Sequence, residues 1–239
     1  MAAPVPLRAM LSVHRRGAGD PAYRVAPDGS VWRAVHTPDG PGTVTLAQAS
    51  GGTVTARAWG AGAAWLIQHA PDLVGEFDDP SELVVHDDAV ARLVARVPHL
   101  RLGRTDRVWE ALVAAVMEQK VVGTEAYRAW RYLLTRYGDR APGPVPGDMR
   151  VPPPQARWRE ITEADWHRSG LEAVRARTIR AAATVDVDRA AIHVDEGVVS
   201  GRDRLHEARF GRQVQVEVER RGRLAPHRTR HPMAVAGDH

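Results

Sequence analysis

The sequence predicts an α+β protein: a small N-terminal antiparallel β domain, then an all-α helical domain, then a poorly ordered basic C-terminal tail. Three observations predict it. Period-two alternation between turn signals marks the first 60 or so residues. Apolar stripes at helical spacing occupy the stretch from Thr105 to Val185. The last segment carries the charge surplus, with nine arginines against five carboxylates from Gly201 onward. The corresponding boundaries are 1–75, 76–185 and 186–239, and 239 residues suffice for one large core or two modest ones.

In the first region, Val31, Trp32 and Val35 sit between the turn signals Pro27-Asp28-Gly29 and Thr37-Pro38-Asp39-Gly40. Thr43 to Leu46 and Thr53 to Trp59 alternate and flank Ser50-Gly51-Gly52, the pattern of a hairpin. Gly60-Ala61-Gly62 lacks the rest of a dinucleotide or phosphate motif and reads as a strand-to-helix turn, with a helix over Ala63 to His69.

An acidic linker, Glu76 to Asp88, leads into the helical region. Thr105 is the expected N-cap of a helix whose face is Val108, Trp109, Leu112, Val113, Val116 and Met117. Gly123 breaks the pattern and Thr124 is positioned to cap a second helix, with Ala126, Trp130, Leu133, Leu134 and Tyr137 inward and Gly138 as its stop. Together they predict a helical hairpin. Ala141 to Pro154 holds six prolines and reads as an extended loop. Thr162 and Asp165 open a short helix around Trp166 that ends at Gly170, and Leu171, Val174, Ile179 and Ala182 continue as another. Further on, alternation over Gln213 to Val218 favours a strand.

Composition removes whole classes of chemistry. With no cysteine, thiolate nucleophiles, disulfides and cysteine metal sites are excluded, and a reducing cytoplasmic setting is expected. The N-terminus lacks the apolar run of a signal peptide, and no segment approaches a membrane-spanning length. His227 and His231 have i, i+4 spacing, but Arg228, Arg230 and Pro232 argue against a metal-bearing helix. Serine-hydrolase, P-loop and zinc-protease motifs do not occur. Lys120 is the only lysine. The basic end suits either phosphate contact or a solvated tail.

Several blocks in order carry a resemblance. They are Arg16-Gly17-Ala18-Gly19-Asp20-Pro21, Asp39-Gly40-Pro41, Ala58-Trp59-Gly60, and Arg104-Thr105-x-Arg107-Val108-x-Glu110. The run Glu118 to Val121, the block Glu125 to Arg131, and Arg175-Ala176-Arg177-Thr178-Ile179 follow. Over residues 8–185 the chain resembles the helix-hairpin-helix DNA glycosylases of the 3-methyladenine type II class. After about residue 185 it is truncated or divergent relative to them. Where that family has a glycine-rich hairpin, Arg204 to Val218 keeps Gly211 alone among the glycines.

The resemblance implies base excision repair. Such enzymes flip an alkylated purine out of duplex DNA and hydrolyse its N-glycosidic bond, with no metal or organic cofactor. It implies that Gln119 and Lys120 enter the DNA gap, and that Asp238, in the terminal Gly237-Asp238-His239, is the catalytic carboxylate. The implied partner is double-stranded DNA containing a damaged base, bound by a monomer. Two alternatives stay open: a catalytically dead remnant that binds DNA non-specifically, and a helical interaction module.

Overall fold

The computed structural model describes residues 6–50, 52–188 and 214–216. A short helix α1 (Leu7–Leu11) precedes four antiparallel strands in sequential order: β1 (Tyr23–Val25), β2 (Val31–Thr37), β3 (Gly40–Gln48) and β4 (Val54–Gly60). The hairpin is the expected one, with Gln48 opposite Val54, Leu46 opposite Ala56 and Thr43 opposite Trp59. Val214–Val216 run parallel to β4, within the stretch whose alternation favours a strand. Apart from these three residues, the expected basic tail beyond Asp188 lies outside the described residues, as does most of 204–218.

Both faces of this sheet are covered. On one side α1, α2 (Ala63–Gln68) and α3 (Ala70–Leu73) lay Leu7, Leu11, Leu66 and Leu73 over Val31, Val44, Leu46 and Val54. On the other, Ala141, Met149 and Val151 pack with Ala34 and Trp32. The proline-rich stretch is therefore a cover as well as a loop. Its Gly143 lies flat on the Trp59 indole, where an added Cβ would come within 2.5 Å of Cγ. Trp59 in turn stacks on Trp32 at 5.1 Å. Gly60-Ala61-Gly62 is the expected strand-to-helix turn: a Cβ on Gly62 would sit 2.3 Å from the Thr37 hydroxyl oxygen, so these glycines serve close packing.

The helical region comprises α4 (Asp88–Arg96), α5 (Val108–Glu118), α6 (Gly123–Tyr137), α7 (Gln155–Trp158), α8 (Glu163–Ser169) and α9 (Ala173–Ala182). Two-residue strands, β5 (Asp139–Arg140) and β6 (Arg150–Val151), tie down the ends of the proline-rich loop. The core is aromatic: Trp158 has Trp109, Trp130 and Trp166 ring centroids 6.2–6.4 Å away. Leu133, Leu134, Ile161 and Ile179 complete it.

Three local expectations are corrected. Thr105 does not cap α5: the helix starts after Arg107, and the Thr105 hydroxyl accepts from the Arg107 amide instead. Gly123 is the first residue of α6, not the break before it, and Thr124 lies inside its first turn, with Val122 at the N-cap. In α9, Val174 faces solvent and Leu171 precedes the helix; the buried positions are Arg175, Ala176 and Ile179. By contrast, Thr162 caps α8 through the Asp165 amide, and Gly170 ends it in the left-handed conformation at φ +81°.

The β region and the helical region are joined by a polar seam. Asp20, 1% exposed, accepts from the Arg16 and Ala22 amides and from the Trp130 indole at 2.7–2.9 Å. Arg33 on β2 pairs with Glu110 on α5 at 2.8 Å, and Arg16 pairs with Glu118 at 3.1 Å. A buried carboxylate with three donors aimed at it is satisfied without a counter-ion.

Candidate nucleic-acid interface at the α5–α6 joint

The joint between α5 and α6 spans residues 119–122, and the sequence explains its shape. The apolar stripe of α5 runs out at Met117, and Glu118, Gln119 and Lys120 are all exposed. Gln119 turns to an extended conformation with ψ 122°. Lys120 adopts φ +51°, the left-handed region that side chains other than glycine, asparagine and aspartate seldom visit. Val121 drops back against the core, and Val122, extended and 65% exposed, starts α6. A cation on a strained backbone followed by an exposed apolar side chain therefore projects from the hairpin end.

Two elements hold this end from behind. Residues 16–19 lie against α6, where Cβ atoms on Gly17 and Gly19 would press on Tyr127 and on the Arg131 guanidinium. From α9, Arg175 reaches the Gln119 carbonyl with Nε at 2.8 Å and Nη2 at 2.5 Å. The structure thus brings Gln119 and Lys120 together on one exposed turn. Asp238 lies outside the described residues.

Two described carboxylates, one beside the joint and one at the far end of α6, are held by their own neighbours. Glu118 pairs with Arg16. Asp165, on α8, accepts from the Tyr132 and Tyr137 hydroxyls at 2.6 and 2.5 Å and from the Thr162 hydroxyl at 2.9 Å. Those hydrogen bonds, Tyr132 first, hold its carboxyl well below the usual carboxylate range, so at neutral pH it fastens α8 to α6 as an anion. Among the described residues no group of His, Asp or Glu could hold a metal ion, and no helix is long and apolar enough to cross a membrane.

A separate shallow cleft opens where β2, the start of α5 and residues 152–158 meet, lined by His36, Arg107, Trp109, Trp130 and Trp158. Burial, then Arg107, keeps His36 below its ordinary pKa. Trp109 sits ten residues before Gln119, which puts the cleft roughly 15 Å from the joint along α5. The two features are distinct places on the molecule.

Sequence reasoning missed Arg175, Asp20 and Asp188. A signal existed for the first: Arg175 and Ile179 fall at i, i+4 spacing, which puts an arginine on the same face as a buried apolar residue.

The fold is shared with DNA glycosylases. The 3-methyladenine DNA glycosylase from Archaeoglobus fulgidus superposes with a TM-score of 0.63 at 16% identity, covering 78% of this chain and 66% of that one. The Clostridium acetobutylicum 8-oxoguanine glycosylase/lyase, in complex with double-stranded DNA containing cytosine opposite 8-oxoguanine, gives 0.55 at 11% identity, covering 82% and 61%. Its apo form gives 0.56 at 12%, covering 82% and 62%. The chain thus spans less than two thirds of the length of these structures. No protein-family profile and no curated protein sequence matches it.

Proposed function

We propose that this protein is a base-excision-repair DNA glycosylase acting on alkylated purines of the 3-methyladenine type. It binds, as a monomer, double-stranded DNA containing a damaged base. The α5–α6 joint carries the reading: an exposed, left-handed lysine between Gln119 and Val122, at the end of a hairpin in a glycosylase-like fold.

In this reading Gln119 and Lys120 occupy the gap left as the damaged base swings out. The lysine stem covers the exposed stack and its ammonium meets a phosphate. Flipping costs a few kcal/mol and least for a base that pairs poorly, which favours lesions. An alkylated purine is already cationic and leaves readily. The Asp238 carboxylate stabilises the oxocarbenium-like sugar and guides water to it, without metal or cofactor.

The test is release of alkylated purine from methylated duplex DNA, followed by chromatography. Asp238→Asn is expected to lower the rate by about 100-fold or more. No release by the wild-type chain would overturn the catalytic reading. A second reading, DNA binding without excision, is favoured by Glu118, the carboxylate next to Gln119, being paired with Arg16. It predicts salt-dependent binding with no base released.

A further inference from the structure

We infer that Arg175 is a positioning residue: it holds the α5–α6 joint so that Lys120 is presented to the duplex, without itself touching DNA. The inference rests on the reading of the joint as the DNA-inserting element and adds the residue that sets it.

The geometry that carries it begins at the end of α5. The last carbonyls of a helix have no partner inside the helix and carry the negative end of its dipole. At Gln119 that carbonyl takes two donors from one guanidinium, Nε at 2.8 Å and Nη2 at 2.5 Å. Arg175 is 7% exposed and lies on the buried face of α9 with Ala176 and Ile179. A cation at such an inward position is costly unless paired. Its other partner, Glu172 at 2.9 Å, is mostly exposed. The fork on Gln119 is therefore the contact that its burial serves.

The consequence falls on the next residue. With the Gln119 peptide pinned, the turn into α6 is completed by Lys120 at φ +51°, a conformation a lysine leaves when nothing constrains it. Arginine suits this task and lysine does not, because the planar fork grips one oxygen with two N–H groups in fixed geometry. Arg175→Lys keeps the charge and one donor but loses the grip.

The experiment uses the full chain and a duplex carrying 2-aminopurine beside an abasic-site analogue, in which insertion of the joint raises fluorescence. The chain has one lysine, so acetylation footprinting of side-chain amines reads Lys120 alone. For Arg175→Lys, we expect the fluorescence rise at saturating protein to fall about tenfold, the size set by losing one charge-assisted hydrogen bond. Affinity for undamaged duplex should stay within about twofold, since the phosphate-contacting charge is unchanged. Lys120→Ala, which cannot disturb the core, should lose the same signal, and the double variant should lose no more than Lys120→Ala alone.

An unchanged fluorescence rise in Arg175→Lys would overturn the inference. So would additive losses, or a loss accompanied by faster amide exchange throughout α5 and α9, which marks a merely structural arginine. Wild-type protein that neither raises fluorescence nor shields Lys120 would instead remove the underlying reading of the joint, and this inference with it.

Discussion

Helices α4 and α5 follow one another in the chain and each carries apolar residues at helical spacing, α5 on nearly every side and α4 on one, yet they end in opposite surroundings. α5 buries Trp109, Val113, Ala114, Val116 and Met117. α4 buries nothing, and leaves Leu93 58% exposed with Val90 and Val94 beside it. α5 is tied at its start by Asp188, along its length by Arg33 through Glu110, and at its end by Arg175. α4 is capped by its sequence neighbour Asp87, which accepts from the Ala89 and Val90 amides. The contrast teaches that an apolar stripe and a local cap are enough to define a helix, whereas burial requires an opposing surface that the stripe does not specify.

The contrast can be broken in four ways, taken from the largest effect down. Trp130→Ala removes a ring packed between α5, α6 and Trp158 together with the indole donor to Asp20; it should cost about 3–5 kcal/mol in urea unfolding. Asp20→Ala leaves three buried donors facing no acceptor and should cost about 2–3 kcal/mol by the same measurement. If either costs less than about 0.5 kcal/mol, the seam does not hold α5 and α6 in place.

The third is confined to a pH window. Burial, then Arg33 and Arg16, lowers the His14 pKa from 6.5 to about 3. The unfolded chain therefore binds that proton first, and stability falls as pH drops from 6.5 towards 3. His14→Gln should flatten this slope in melting curves recorded from pH 7 to 4; an unaltered slope would show that His14 does not supply it. Asp165 acts lower, its stabilisation being present above about pH 3.8 and lost as the carboxylate is protonated below that. The smallest effect belongs to α4, where Leu93→Ser should change stability by no more than about 0.5 kcal/mol. A cost of about 2 kcal/mol there would mean that the stripe is covered in solution.

Much of the fold was legible. The hairpin of β3 and β4, the turn at Gly29, the Thr162 cap and the Gly170 stop are all encoded within four residues or by strict alternation, and they formed as read. The reading at Thr105 missed because it judged a helix start from its neighbours alone. The amide of Trp109, near the start of α5, donates to Asp188 at 2.9 Å, 79 residues away in sequence. The same carboxylate pairs with Arg107 at 2.7 Å. A distant carboxylate satisfies the orphan N–H of the first turn as well as a local threonine would. For the candidate site, Gln119 and Lys120 could be named from their place in the helical hairpin. The fork that holds them could not, because Arg175 lies 56 residues away and its spacing to Ile179 marks an inward position without naming its partner.

By itself, then, the sequence determined the succession of a β region and a helical region, the β3–β4 hairpin, the turn between β2 and β3, the aromatic make-up of the helical core and the presence of a single lysine at the hairpin end. These follow from periodicity, turn chemistry and residue type, which act over a few residues. Tertiary structure alone decided that Asp20 would join the sheet to Trp130, that Asp188 would cap α5, that Arg175 would grip Gln119, and that α4 would keep its apolar face in the open among the described residues. Each of those depends on which parts of the chain arrive side by side, and a hydrogen bond or a buried stripe is worth something only once its partner surface is in place.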